Sequence, residues 1–487
     1  MSEPTAPMNL VILCPDQMRA DYLSCYGHPT INTSNIDRLA SEGVRFDKAY
    51  CAAPLCGPSR ISFVTSTRFS EHNHRNYGST IDYAVPNLVR SLKEAGYRTG
   101  MFGKNHCFNY EQLPEIWDEL DEICLGNRDR HPKYKRSFDA FPLEADHEYN
   151  ITGRLADETI DFICRQEGGK PFLAWVNWQD PHPAFTCPEP YFSMFDPDEI
   201  ELPERYREGG GTNKPLRLSN WQANSLAPEA TDAEIRQARA AYMGQIRYVD
   251  DSVGRILDAL RETGRDKDTL VVFFADHGEM LGDQGSFHKI GAFYDCLTRI
   301  PVIIRHPNGA YRGVFEGLVE EVDLAPTILE ACGIKRPLSF VGESLHQRIV
   351  DGKISTTDGR GTVLVEAGLQ TPTYPHPVRV NQKAPFDPNN FGPGAMVTDG
   401  RYKLTVYHDD TCELYDLQDD PKELDNRFED PSLSEVRERL TLALCKRLLG
   451  VGVRDIGLER WPEDCDDPRQ VPLEIAAKRP NPWKARK

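Results

Sequence analysis

The sequence predicts an α/β protein, with a large, mostly parallel β-sheet sandwiched by helices and a smaller C-terminal α+β subdomain. Short apolar runs alternate with helical patterns over the first three quarters of the chain, which is typical of β-α-β units. Polar residues follow directly after several of these runs, where ligands bind in such sheets. We place a catalytic domain at 1–365 and a subdomain with a small antiparallel sheet, a helix and a tail at 366–487.

The individual elements follow from the apolar pattern. Strands are predicted at 9–14, 97–102, 172–177, 269–274 and 301–305. Helices are predicted at 36–42, 84–95, 232–262 and 322–332. In the subdomain we expect strands around turns at 397–404 and 412–417, and an amphipathic helix at 434–449.

Composition limits the classes of partner. The 487 residues carry a formal net charge of −18, which argues against nucleic acid and anionic membranes as partners. The start of the chain lacks a basic segment, and no apolar stretch approaches the length of a membrane span. The thirteen cysteines are an odd number, without a CxxC pair. We therefore expect a cytoplasmic protein with reduced thiols and no membrane segment.

The segment Leu55-Cys56-Gly57-Pro58-Ser59-Arg60 predicts a helix that begins at a reactive position. Gly57 permits a tight turn, and Pro58 suits the first turn of a helix. Cys56 then lies at the helix N-terminus, which favours an anion such as sulfate or phosphate. Arg60 follows one turn later and can hold the same charge. The alternative is a turn with a buried thiol that begins an ordinary helix.

Two pairs of polar residues indicate a metal site. Asp16-Gln17 follows the first predicted strand, and Asp276-His277 follows the strand at 269–274. Carboxylate and amide oxygens suit Ca²⁺ or Mg²⁺, and the imidazole widens the choice to Mn²⁺ or Zn²⁺. Each pair alone is also common in turns, so the prediction depends on finding both with Cys56.

Together these residues resemble the type I, formylglycine-dependent sulfatases of the alkaline phosphatase superfamily. The Cys-x-Pro-x-Arg segment at Cys56 resembles the family signature. Gly103-Lys104-Asn105-His106 and Asp276-His277-Gly278-Glu279 resemble two further blocks, in the family's order. The resemblance extends from residue 9 to about residue 417, and it implies the alkaline phosphatase/sulfatase-like fold.

The resemblance implies a role for each site residue. A formylglycine-generating enzyme would oxidise Cys56 to an aldehyde, whose hydrate attacks sulfur. One divalent cation, most often Ca²⁺, would be held by Asp16, Gln17, Cys56, Asp276 and His277. Arg60 and His106 would stabilise the hydrate. The sulfate oxygens would be bound by Lys104, His182 and Lys289, with His182 or Lys289 as the proton donor to the leaving alcohol.

Three functions stay open. The first is a sulfuric ester hydrolase acting on a sulfate monoester of an alcohol or sugar. The second is a phosphonate monoester hydrolase or phosphodiesterase, because the Asp-Gln and Asp-His pairs also occur in such relatives. Those relatives usually lack the Lys-x-His pair that Lys104 and His106 provide. The third is a non-catalytic anion-binding protein whose Cys56 is never modified.

Specificity is expected in the loops at 107–150, 183–230 and 370–394. Candidate substrate contacts there are Arg136, Trp178, His376 and Arg379, although ordinary loop roles are favoured for all four. The sequence predicts neither the leaving group nor the oligomeric state.

Overall fold

The computed structural model describes residues 8–450 except 77–78, 124–130, 145–146, 149, 167–168, 209–210, 216, 220–221, 223–228, 290–291, 351–359 and 369–391. The strands are β1 (Asn9–Asp16), β2 (Val44–Tyr50), β3 (Arg98–Gly103), β4 (Glu119–Glu122), β5 (Phe172–Pro181), β6 (Thr269–Phe274), β7 (Val302–Arg305), β8 (Gly313–Glu320), β9 (Val363–Ala367), β10 (Gly394–Thr398), β11 (Tyr402–Tyr407) and β12 (Cys412–Asp416). The α-helices are α1 (Ser34–Glu42), α2 (Cys56–Thr65), α3 (Phe69–His72), α4 (Leu88–Glu94), α5 (Leu113–Ile116), α6 (Thr152–Cys164), α7 (Asp232–Glu262), α8 (Asp295–Thr298), α9 (Leu324–Ala331), α10 (His346–Val350) and α11 (Ser434–Leu449).

The larger sheet has eight strands in the order β4-β3-β5-β1-β6-β7-β2-β8. Neighbouring strands are parallel except where β7 pairs with β6 and β2. On β1, Leu10 and Ile12 pack into one hydrophobic cluster and Val11 and Leu13 into another, because successive side chains point to opposite faces. One cluster includes side chains of α2, α4 and α9, and the other includes side chains of α1, α6 and α7. The predicted helix-covered, mostly parallel sheet is confirmed.

The predicted long helix and late strand match α7 and β6 at both ends. A capping box between Thr231 and Glu234 begins α7. The helix predicted from residue 84 begins instead at Leu88, because the Asn87 side chain caps it by accepting a bond from Arg90 N at 2.8 Å. β5 runs four residues beyond its predicted end, to Pro181.

The smaller sheet is antiparallel in the order β12-β11-β10-β9, and Leu440 and Leu444 of α11 pack on it. The predicted subdomain of strands and one helix is therefore present. The predicted boundary between 365 and 366 falls inside β9, which pairs with β10 along all five of its residues. Among the described residues, no helix is both long and apolar enough to cross a membrane.

A buried ammonium connects the smaller sheet to α8. Lys403 of β11 is 1% exposed, and its Nζ lies 2.7 Å from Glu423 Oε1 and 3.1 Å from the carbonyl oxygen of Phe293. It also pairs with Asp295 at the first turn of α8. A charge taken out of water needs such partners, so Lys403 contributes to the packing of the smaller sheet against α8.

Replacing Lys403 by alanine should destabilise the fold strongly, because it leaves the Glu423 carboxyl group buried without its counter-charge and removes a partner of the half-buried Asp295. We expect the free energy of unfolding to fall by about 3–5 kcal/mol. Urea denaturation followed by tryptophan fluorescence measures it. Lys446→Ala, at an exposed position of α11, is the control and should leave the free energy of unfolding unchanged. Equal losses in the two variants would contradict this account.

Candidate active site

The predicted site residues come together at one edge of the larger sheet. Asp16 ends β1, Lys104 follows β3, His182 follows β5, and Asp276 lies two residues after β6. These four strands are adjacent and parallel, so their carboxyl ends meet. The N-terminus of α2 brings Cys56 to the same place.

Four side chains form a potential cation site. The ligand atoms of Asp16, Cys56, Asp276 and His277 all lie within 4.8 Å of one another, and all four residues are fully buried. Cys56 Sγ is 3.2 Å from His277 Nε2 and 3.6 Å from Asp16 Oδ1. A cation that binds its ligands at about 2.3–2.6 Å brings them within such a span. The donors therefore fit one divalent cation, with oxygen ligands in the majority once Gln17 is included.

Backbone contacts fix this cluster. Gln17 adopts a left-handed conformation (φ 66°), and its N–H donates to Asp276 Oδ1 at 3.0 Å. The His277 N–H donates to the same oxygen at 3.0 Å. His277 Nδ1 lies 2.9 Å from the Gly278 carbonyl, which only accepts, so Nδ1 carries the proton. Nε2 is therefore the ring nitrogen that faces Cys56 and that could bind a cation.

Arg60 bridges the two carboxylates of the cluster. Its Nε donates to Asp276 Oδ2 at 2.9 Å, and its Nη2 lies 3.6 Å from Asp16 Oδ2. Its Nη1 donates to Asn177 Oδ1 at 2.6 Å. Arg60 is 1% exposed, so the guanidinium compensates negative charge that water cannot reach. Arg60 is thus held against the cluster, as its place one turn after Cys56 predicts.

Two lysines line the same centre. Lys104 forms an ion pair with Asp16, and Lys289 Nζ donates to Gln17 Oε1 at 2.6 Å. Burial raises the pKa of Asp16, but neighbouring cations led by Lys104 lower it well below its ordinary value. Burial also raises the pKa of the Cys56 thiol, and the nearby cations again lower it below its ordinary value. The pocket is electropositive although the whole chain is acidic.

Two histidines face the opening of the pocket. His106 and His182 each keep 8% of their surface exposed, whereas the four residues of the potential cation site have none. Burial, followed by the charge of Lys104, lowers the pKa of His106. Burial, followed by the charge of Lys289, lowers the pKa of His182. His106 Nδ1 has no hydrogen-bond partner among the described residues. Both rings are neutral at pH 7 and accessible to a ligand.

Sequence reasoning missed three residues that hold the site together. Asn177 binds Arg60, Glu279 binds the Gln17 amide, and Tyr242 of α7 donates to the Gln17 carbonyl at 2.8 Å. Glu279 lies three residues after Asp276 in the same sequence block, so its position could have indicated a role at the site. Asn177 and Tyr242 lie in apolar runs that predict only a strand and a helix.

The structure describes two of the four candidate substrate contacts, and both have structural roles. Trp178 is fully buried in β5, and its Nε1 donates to the Thr152 carbonyl at 3.1 Å, so it belongs to the core. Arg136 pairs with Asp139 and with Glu234 at 2.7 Å, which is an ordinary structural role. His376 and Arg379 lie outside the described residues.

Known proteins of similar sequence and structure share this arrangement of elements. The family profile named Sulfatase matches residues 8–334, and the profile of the C-terminal region of N-sulphoglucosamine sulphohydrolase matches 388–448. The "uncharacterized sulfatase YidJ" of Escherichia coli (strain K12) is 29% identical over 90% of this chain and 86% of its own length. An arylsulfatase of Clostridium perfringens is 27% identical over 91% of this chain and 94% of its own length.

Among solved structures, the phosphonate monoester hydrolase of Agrobacterium radiobacter superposes with a TM-score of 0.74 at 25% identity. The superposition covers 91% of this chain and 95% of that one. The Sulfatase profile spans about two thirds of the chain and includes every residue of the site described above. The protein therefore belongs to the sulfatase family, within the alkaline phosphatase-like group.

Proposed function

We propose that this protein hydrolyses sulfate monoesters, using Cys56 oxidised to formylglycine and one divalent cation, most suitably Ca²⁺. The observation that carries the proposal is the position of Cys56 Sγ, 3.2 Å from His277 Nε2 and 3.6 Å from Asp16 Oδ1 inside the buried cluster. Family membership and the relative named arylsulfatase support it. A formylglycine-generating enzyme is the partner that this proposal requires.

The charge and the position of each side chain indicate a separate role in the reaction. When present, the cation supplies a Lewis acid and the aldehyde supplies a hydrated nucleophile. Lys104 and Lys289 are placed to bind sulfate oxygens and to offset negative charge as the ester bond breaks. His106, with its unpaired Nδ1, is placed beside the same oxygens. Arg60 contacts both carboxylates and holds them in position.

The proton for the leaving oxygen comes from His182 or Lys289. His182 follows β5 at the sheet edge that carries the cluster, and Lys289 contacts Gln17. The lowered pKa of His182 means that its ring starts neutral, and the negative charge of a bound sulfate ester raises that pKa again. The proton donor can be distinguished from the other residue by comparing substrates whose leaving groups need a proton with substrates whose leaving groups do not.

We propose a small sulfated saccharide as the substrate class. A relative named N-acetylglucosamine-6-O-sulfatase, from Bacteroides thetaiotaomicron, is 25% identical over 88% of this chain and 83% of its own length. A buried centre lined by Lys104 and Lys289 suits a single sulfate group on a polar alcohol.

Phosphonate monoester or phosphodiester hydrolysis is the second candidate, favoured by the superposition on the Agrobacterium radiobacter enzyme. A panel of aryl sulfate, phosphonate monoester and phosphodiester substrates separates the two. We expect kcat/KM for the sulfate to be highest by about tenfold or more, because this chain carries the Lys104 and His106 pair that the phosphonate and phosphodiester relatives usually lack. A higher kcat/KM for the diester or the phosphonate would overturn the sulfatase assignment.

Removing the Cys56 thiol should abolish turnover. We expect Cys56→Ala to lower kcat by about 10⁴-fold or more, because the nucleophile is lost. Cys51→Ala is the matched control, since Cys51 is also fully buried but lies outside the cation site. Steady-state kinetics with an aryl sulfate measures both variants. Comparable kcat values for the Cys56→Ala variant and the unaltered protein would rule out a nucleophilic role.

The proton donor should be revealed by the leaving group. We expect one of His182→Ala and Lys289→Ala to lose about 10²–10⁴-fold in kcat on an alkyl or sugar sulfate, but little on 4-nitrophenyl sulfate. A good leaving group needs no proton, so only the donor shows this difference. The other variant should lose the same factor on both substrates. Losses independent of the leaving group in both variants would exclude both residues as donors.

A further inference from the structure

The Gln17 side chain is held at both ends. Its Nε2 donates to Glu279 Oε2, and its Oε1 accepts a bond from Lys289 Nζ at 2.6 Å. Gln17 and Glu279 are fully buried and Lys289 is 5% exposed. Since a carboxylate only accepts and an ammonium only donates, the two partners leave the amide one orientation. Its oxygen faces Lys289 and its nitrogen faces Glu279.

Glu279 also fixes the turn that carries Lys289. Its Oε1 accepts bonds from the N–H of Leu281, at 3.0 Å, and from the N–H of His288. Leu281 and His288 both have left-handed backbone conformations, with φ of 47° and 67°. The carboxylate therefore binds both ends of the 281–288 turn. Lys289 is the residue that directly follows this turn. Glu279 is the acceptor in each of these bonds.

The position of the Glu279 carboxyl group affects the electrostatics of the potential cation site. Asp16 and Asp276 bring carboxylates to the potential cation site, whereas Gln17 brings an uncharged amide. The Glu279 carboxyl group lies one hydrogen bond behind Gln17, at the nitrogen end of the amide. A carboxylate that accepts from an amide N–H polarises the amide and strengthens its oxygen as a ligand.

We infer that Glu279 is a positioning residue that sets the affinity of the site for its divalent cation. It does so by fixing the Gln17 amide with the oxygen inward. The inference rests on the proposed function for the identity of Gln17 as a ligand. Its test measures cation binding and does not require turnover. If the protein hydrolysed no sulfate ester, the proposed function would be refuted, but the measured effect of Glu279 on cation binding would still stand.

The test compares two variants, Glu279→Gln and the exchange Gln17→Glu/Glu279→Gln. In the single variant, two amide nitrogens would meet, so Gln17 should rotate and turn its nitrogen inward. We expect the Kd for Ca²⁺ to rise by about 10–100-fold. The exchange restores a carboxylate–amide bond with the same number of atoms and the same total charge. We expect its Kd to lie within about threefold of the unaltered protein.

Calorimetric titration of Ca²⁺ into the chelator-treated full-length protein measures these Kd values. Thermal unfolding of the metal-free protein separates binding from stability. Glu413→Gln is the matched control, because Glu413 is buried and accepts bonds from Tyr294, Tyr407 and Tyr415 far from the cation site. It should lower the midpoint of unfolding and leave the Kd unchanged.

Three results would overturn the inference. One is a Glu279→Gln variant with an unchanged Kd and a lower midpoint of unfolding, which is the outcome for a merely structural residue. The second is an exchange variant that binds Ca²⁺ tenfold or more weakly. The third is an exchange variant that fails to fold, since the exchange conserves each hydrogen bond of the pair.

Discussion

Everything at the active site depends on holding the carboxylates of Asp16 and Asp276 close together, away from water and beside positively charged side chains. Both are fully buried, and a buried charge is stable only with close partners of opposite sign. Arg60 bridges them, and Lys104 pairs with Asp16. The same geometry leaves both groups, with Cys56 and His277, arranged around one point. A site that satisfies its charges in this way is already organised to receive a divalent cation.

The fold supplies this arrangement through parallel strands. β1 lies between β5 and β6, so residues that are far apart in the chain end at the same edge. Close approach of β3 and β5 matters as well. Gly103 has a φ of 109°, and a Cβ there would lie 2.1 Å from the Asn177 carbonyl. The Lys104 N–H donates to that carbonyl at 3.0 Å, which aims the lysine at Asp16.

The strand ends and the Cys56 segment could be predicted because their signals are local. The helical spacing at 232–262 and the apolar run at 269–274 predicted both ends of α7 and of β6. The polar pairs after the strands indicated the site. β4, with the sequence Glu-Leu-Asp-Glu, was missed because it is a half-buried edge strand with no apolar run. Asn177 and Glu279 were missed as supports because their partners lie 117 and 262 residues away. Such contacts exist only once the sheet has formed.

The central claim is that the buried, cation-ready cluster serves a chemically modified Cys56. Charge compensation, strand geometry and family membership make this site suitable for the chemistry, but the aldehyde itself is a covalent change that a separate enzyme must make. Mass spectrometry of the peptide carrying Cys56, taken from protein purified from its native host, tests the claim most directly. The account predicts formylglycine at position 56. An unmodified thiol in catalytically active protein would contradict it.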